Sequence, residues 1–220
     1  MTAALDAYAA GRGGEHAVLA ALDASRLLVP VVARLAAAEM AGPAELRREK
    51  SSEMALPTVI GTDGRAALPA FTSAAALARW RPEARPVPVP AAQVWRSGAQ
   101  DASAVVIDIA GPVPLAVDGA RLAALAEGRP PPLPHEDPDV VALVHAALTA
   151  EPAVAGYRLL PGEDGTDLTL CLVPVPGCDP AQAAFTGAAE RASRRVLAGA
   201  GPRVRRGIQV AVIAAAGGAI

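Results

Sequence analysis

Cysteine is almost missing from this sequence: Cys171 and Cys178 are the two thiols in 220 residues. Two cysteines do not make a disulfide framework in a chain this long, and their spacing is not the C-x-x-C of zinc or redox sites. Aromatic residues are also scarce, at 3%. An interior of Ala, Val and Leu gains less per residue on burial than one built on rings. Phe71, Trp80, Trp95 and Phe185 are therefore expected to anchor packing. Positive charge is not in excess either, with 20 basic against 22 acidic residues and a net charge of −2. That balance argues against an electrostatic nucleic-acid binder. Lys50 is the single lysine among nineteen arginines, the usage of a GC-rich genome, so arginine abundance alone carries no functional weight. No apolar run reaches the roughly 18–20 residues of a membrane helix. The best candidate, Ile208 to Ile220, is too short and ends just after Gly217-Gly218. No basic segment followed by an apolar core opens the chain. The expectation is a cytoplasmic protein with no membrane partner.

What is present is mostly punctuation. Met1 to Gly14 reads as a mobile lead or a short frayed helix, and Glu15 to Ala24 as a helix capped by Gly14. Arg26 to Ala33 reads as a buried strand, with Pro30 implying an edge position or a bulge. Ala41 to Ser52 reads as a solvated loop or exposed turn. Met54 to Pro69 reads as a hairpin, its apolar arms flanking Gly61-Thr62-Asp63-Gly64. Thr72 or Ser73 would cap a helix from Ala74 to Trp80. A strand at Val87 to Pro90, a helix at Ala91 to Gly98, strands at Ala104 to Ile109 and Val113 to Val117, and a helix at Ala120 to Glu127 follow.

Gly128 to Pro138 holds five prolines and few core-forming residues, so it reads as a stiff linker between domains. Beyond it the pattern is helix (Asp139 to Ala150), strand (Val154 to Leu160), strand (Asp167 to Val175), helix (Pro180 to Leu197) and strand (Arg203 to Ala215). The fold class expected is α+β, two small mixed-sheet domains with packed helices: residues 15–127, a linker at 128–138, and residues 139–220.

The segment MALPTVIGTDGRAALPAFTSAAALARW, Met54 to Trp80, resembles the SseB family, named for enhanced serine sensitivity. An apolar strand, an Asp-Gly turn, an apolar-Pro arm and Phe-Thr-Ser opening a helix that ends in Trp carry the resemblance. Arg85-Pro86-Val87-Pro88 and Val105-Val106-Ile107-Asp108 also fit. The resemblance covers Arg26 to Glu127, and beyond that only the order of elements is similar. It implies a cytoplasmic bacterial α+β protein with a regulatory or binding role, and it transfers no catalytic residues.

Chemistry-bearing residues are dispersed. His16, His135 and His145 show no metal-ligand spacing, and His135-Glu136-Asp137 lies in the Pro-rich stretch. There is no GxSxG, and Gly11-Arg12-Gly13-Gly14 lacks the phosphate-loop pattern and the strand that should precede it. Cys171 reads as a core residue. Cys178, placed just before a helix, could be activated by the helix dipole. Asp108 within an apolar strand must face solvent, find a donor or carry a raised pKa. The densest positive group is Arg191, Arg194 and Arg195 with Arg203, Arg205 and Arg206, a candidate surface for an acidic partner or a charged guard on an edge strand. The leading expectation is a non-enzymatic interaction or regulatory module that binds a protein or its own copy, with no cofactor, metal or catalytic set. The alternative is a small-ligand sensor or enzyme with a site in an interdomain cleft, using Asp108 or Cys178.

Overall fold

A computed structural model describes residues 2–34, 53–55, 57–61 and 64–213. The loop expected at 41–52, the turn residues Thr62 and Asp63, and the end of the last expected strand lie outside the described residues. The fold is α+β. The chain divides into two compact units, one formed by residues 1–24 with 119–220 and the other by residues 25–118.

The first unit begins with α1 (Thr2–Ala9) and α2 (Glu15–Asp23). Tyr8 on α1 is buried, as are Val18, Leu19 and Leu22 on α2, the i, i+1, i+4 set of one helical face.

The second unit holds β1 (Arg26–Arg34), β2 (Glu53–Ala55), β3 (Val59–Ile60), β4 (Ala66–Ala70), α3 (Ala74–Trp80), β5 (Arg85–Pro90), α4 (Ala91–Asp101), β6 (Ala104–Ile107) and β7 (Leu115–Asp118). The expected hairpin is the antiparallel pair β3 and β4, with Val59 opposite Ala67. Its first arm is shared with another sheet, because Met54 and Ala55 pair with β1. Strand orders are β2-β1-β5 and β3-β4-β6-β7. Ser73 caps α3 by accepting from the Ala76 amide at 3.1 Å.

Pro30 does not mark an edge, since β1 is the central strand of its sheet. The reason is parity. Leu28 and Phe71 exchange both backbone hydrogen bonds at 2.8 Å, so the amide of Leu28 points away from β5. Residues two apart point the same way. Leu28 opposite Pro88 and Pro30 opposite Pro86 are thus pairs that exchange no ladder hydrogen bond, and the missing amides leave no gap between β1 and β5. The same parity turns the amide positions of Pro86, Pro88 and Pro90 toward the outer edge of β5.

Trp95, Phe71, Leu27, Val105, Ile107 and Val117 are buried in this unit. Trp80 is only half-buried: its ring lies 5.4 Å from Phe71, and Arg81 lies over it at 4.6 Å. Of the two indoles, Trp95 is the anchor.

The first unit resumes with α5 (Gly119–Ala126), α6 (Pro138–Thr149), β8 (Val154–Pro161), β9 (Leu168–Pro174), α7 (Ala183–Ala200), a 3-10 turn at Gly201–Val204, and β10 (Ile208–Val212). Strand order is β10-β9-β8, with β10 parallel to β9 and β8 antiparallel to it. Leu168, Leu170 and Leu172 alternate onto the face that packs with Val140 and Val144 of α6 and Phe185, Ala192 and Val196 of α7. Helix α7 starts three residues later than expected and runs through Gly199 to Gly201, whose φ of +54° supplies the left-handed stop. Strand β10 begins at Ile208, not Arg203, because the Arg206 amide is held by the Asp167 carboxylate at 2.7 Å and Pro202 has no amide to give a ladder.

The units divide elsewhere than at the Pro-rich stretch. Residues 15–24 and 119–127, expected in the first domain, belong with residues 139–213, and so does the expected linker 128–138. Prolines bar that stretch from a sheet but not from forming a wall, which is its place here. The chain leaves and re-enters the first unit at Ala24 and at the Asp118-Gly119 turn.

Replacing Trp95 by Ala is expected to cost about 3–5 kcal/mol, and Trp80 by Ala about 1–2, because only the first empties a closed cavity. Urea unfolding followed by circular dichroism of the full chain measures both. Equal losses would contradict the assignment of Trp95 as the anchor.

Candidate functional site

The six arginines singled out in the sequence do not form one patch; they are drawn apart by the groups they meet. Arg191 grips Glu151 with Nε at 3.2 Å from both carboxylate oxygens and a terminal nitrogen at 2.6 Å. Arg195, one turn on, donates to the same carboxylate at 3.1 Å and to the Ala147 carbonyl at 3.3 Å. Arg203 lies 3.3 Å from Asp137 and 3.1 Å from Asp139. Arg206 donates to Asp167 at 2.7 Å and to the Thr166 carbonyl at 3.1 Å. The Arg205 guanidinium sits 4.6 Å above the Tyr8 ring. Arg194 lines a groove beside β10.

That groove, about 490 Å³, is floored by Phe185 and Ala189 of α7 and by Val210 and Val212 of β10, with Glu190 and Arg194 on its rim. Val210 is 38% and Val212 50% exposed. The parallel register puts them on the face that carries Leu170 and Leu172, so α7 covers the inner strands and leaves the outermost one partly open. Among the described residues β10 pairs with β9 alone.

A second concavity, about 420 Å³, lies wholly within the first unit. The start of α2, Arg121 of α5, the segment Pro132–Asp137, the β8–β9 turn, Arg203 and Arg206 line it. Glu15 and Arg121 form a buried ion pair. Burial pushes the Glu15 carboxyl above the ordinary carboxylate range, and the Arg121 guanidinium opposes that rise. Asp137 caps α6 by accepting from the Asp139 amide at 2.9 Å. Gly14 packs closely against this cluster: a Cβ there would stand 2.8 Å from an Asp167 oxygen. His16 and His135 line the space, and their Nδ1 atoms, shut off from solvent, have no hydrogen-bond partner among the described residues. Sequence reasoning missed this convergence. The residues are local in no sense, Glu15 and Arg121 being 106 positions apart.

The remaining candidates have structural partners. Asp108, in the left-handed region at φ +48°, accepts from the Thr72 amide at 2.9 Å and the Thr72 hydroxyl at 2.6 Å; it found a donor. Cys171 is buried. Cys178 is half-buried and sits five residues before α7 begins at Ala183, outside the reach of that helix's terminal amides. His135 and Glu136 approach to 3.7 Å, and among the described residues no group of three or more His, Cys, Asp or Glu side chains is arranged to hold a metal ion. No helix among them is long and apolar enough to cross a membrane.

These features define a two-unit α+β protein with a polar cleft in one unit and, among the described residues, a sheet in that unit whose β10 edge is unpaired. A family profile described as the SseB protein N-terminal domain matches residues 1–124, and the chain belongs to the SseB family. Comparison with curated proteins and with solved structures returned no match.

Glu151 and Glu15 should give opposite acid responses. Hydrogen bonds from Arg191 hold the Glu151 carboxyl below the ordinary range, with Arg195 adding to the effect. Its folded pKa is below its unfolded one, so its contribution is present at neutral pH and disappears as pH falls through the folded value. Glu15, raised, contributes at low pH and loses that contribution as pH rises through its folded value. Glu151→Gln should therefore lower the unfolding midpoint at neutral pH, and the gap to the wild type should close in acid. A gap constant with pH would refute the role of the pair.

Proposed function

We propose that this SseB-family chain is a non-enzymatic interaction module that works by pairing the outer edge of β10 with β10 of a second copy. The observation that carries the reading is the character of that edge. An open row of backbone groups is a template for another strand, and proteins ordinarily guard it with proline, charge or a bulge. Here β5 has three prolines at its edge, and β8 is interrupted between Val154 and Gly156 and carries Arg158. Strand β10, Ile208-Gln209-Val210-Ala211-Val212, has none of these.

Self-pairing, as opposed to capture of an unrelated strand, is supported by the charges on the rim. Joining two β10 edges antiparallel about a two-fold axis normal to the sheet sets the two α7 helices side by side and antiparallel. In such an isologous contact residue i meets j and j meets i. Glu190 and Arg194, opposite in sign and one turn apart, then face each other across the axis. Thr186, Ala189 and Ser193 on the same helix are small enough to allow close approach.

Light scattering of the full chain across the micromolar to millimolar range is expected to give a concentration-dependent dimer. Val212→Asp should be monomeric. Glu190→Arg and Arg194→Glu should each weaken the dimer about tenfold or more, since like charges then meet, and the double swap should restore it. A wild-type monomer throughout, or a double swap no better than the single ones, would overturn the proposal.

A further inference from the structure

The sequence contains no asparagine. Cyclisation of a side-chain carbonyl onto the next main-chain amide, a slow reaction of long-lived proteins, therefore has only aspartates to use. It is easiest where glycine follows, because a residue without Cβ leaves its amide open to close approach. Three Asp-Gly pairs occur: Asp63-Gly64, Asp118-Gly119 and Asp164-Gly165. Asp63 lies outside the described residues. The other two pairs have opposite surroundings. The Asp118 side chain is 16% exposed and meets Arg65 at 3.1 Å. Gly119 opens α5, where a Cβ would overlap an Asp139 oxygen. Asp164 and Gly165 form the exposed centre of the β8–β9 turn, both at positive φ. Among the described residues no hydrogen bond or ion pair engages the Asp164 carboxyl or the Gly165 amide. Nothing lies within 4 Å of where a Gly165 Cβ would stand. The turn is closed at its ends instead, where the Thr166 amide and hydroxyl donate to the Glu163 carbonyl at 2.9 and 2.7 Å. That closure leaves the two central residues ungripped.

We infer that Asp164 is a site of isoaspartate formation, and in that form a substrate for a carboxyl methyltransferase that recognises isoaspartate. The Gly165 amide nitrogen attacks Cγ of the protonated Asp164 carboxyl. The N–Cγ bond forms, the amide proton is lost and water leaves, giving a five-membered succinimide. Water then adds at either imide carbonyl. Addition at Cγ breaks the new bond and restores aspartate. Addition at the main-chain carbonyl breaks its bond to the Gly165 nitrogen, and the chain then runs through Cβ and Cγ with a free α-carboxylate beside it. One water is released and one consumed, so no oxidant, reductant or other reactant is needed. The methyltransferase moves a methyl group from the sulfonium of S-adenosylmethionine to an oxygen of that carboxylate. Exposure of the turn gives such an enzyme access, and the free amide and free carboxyl give the cyclisation its two partners. Asp118-Gly119 has the same sequence but lacks the freedom, because the Asp118 carboxylate is held by Arg65. The inference does not rest on the pairing of β10.

The test is to hold the full chain at body temperature and neutral pH for several weeks. It is then methylated with a purified isoaspartyl methyltransferase and tritiated S-adenosylmethionine, and its peptides are separated. Electron-transfer fragmentation, which distinguishes the two isomers, assigns the site. Label is expected to accumulate in the peptide carrying Asp164 and to exceed that in the peptide carrying Asp118 by about tenfold or more, the ratio of a modest difference in barrier. Asp164→Glu, which would have to close a six-membered ring, and Gly165→Ala should each remove the Asp164 label and leave that at Asp118 unchanged. Incubation in concentrated urea should bring the two peptides of the wild-type chain to similar labelling, since unfolding releases Asp118. Label spread evenly over both peptides of the folded chain, or absent from the Asp164 peptide, would overturn the inference. The wild-type comparison decides the matter even if a variant fails to fold.

Discussion

Buried carboxylates, each matched to arginine, organise the first unit. Glu15, Asp137, Glu151 and Asp167 are the buried acids among the described residues, and Arg121, Arg203, Arg191 with Arg195, and Arg206 meet them in turn. Such pairs are seldom a net source of stability, because desolvation offsets much of the attraction. What they fix is which segments meet. Removing one partner leaves a charge in a poor solvent, so any alternative packing that separates the partners is excluded. In a chain whose apolar interior is largely Ala, Val and Leu, shape alone discriminates weakly between packings, and ionic matching supplies the missing selectivity. The pair of Glu15 and Arg121 ties α2 to α5 across 106 positions, within the unit that residues 1–24 share with residues 119–220.

Local elements were legible in the sequence because their causes are local. Ser73 caps α3 three residues ahead, the hairpin of β3 and β4 forms where apolar arms flank Gly61 and Gly64, and glycine stops α7. The family resemblance rested on this same kind of signal, a turn, a cap and a strand pattern, and the profile match over residues 1–124 agrees with it. What escaped were consequences of distance. Pro30 reads as an edge marker in the sequence because its cost depends on which way an amide points in a ladder, and that direction is set by Phe71, which is 43 positions after Leu28 but bridged to it. The arginines looked like one patch because they cluster in sequence, yet their carboxylates lie elsewhere in the chain and draw them apart. The Pro-rich stretch looked like a boundary because composition reports only what it cannot join.

The same lesson applies to the candidate sites. Neither histidine of the cleft carries a motif, and they lie 119 positions apart by number, so only folding brings them to one space. The edge of β10 was half visible: its apolar run was plain, but the number of neighbours a strand acquires is a property of the sheet. Asp108 shows the converse. It looked chemically suggestive inside an apolar strand, and its geometry has a sufficient structural cause in the two hydrogen bonds from Thr72 that fasten the end of β6 to the start of α3.

How the edges are finished bears on why β10 matters. The outer edge of β5 is stripped of donors by Pro86, Pro88 and Pro90, a placement that costs nothing inside the ladder because the parity of β1 faces those positions outward. Strands β3 and β7 are short, at two and four residues, and β7 ends in Asp118, which meets Arg65 at 3.1 Å. A two-residue strand is a poor template, and a charged end discourages addition. The chain thus uses proline, brevity and charge at other edges. At β10 it uses none of them, and it places exposed valines beside a groove instead. Chance could leave one edge bare, but an apolar edge beside an apolar groove with paired opposite charges on the rim is a surface whose exposure has a cost unless something covers it. The second copy proposed above would satisfy the backbone groups, the valines and the charges with a single symmetric contact.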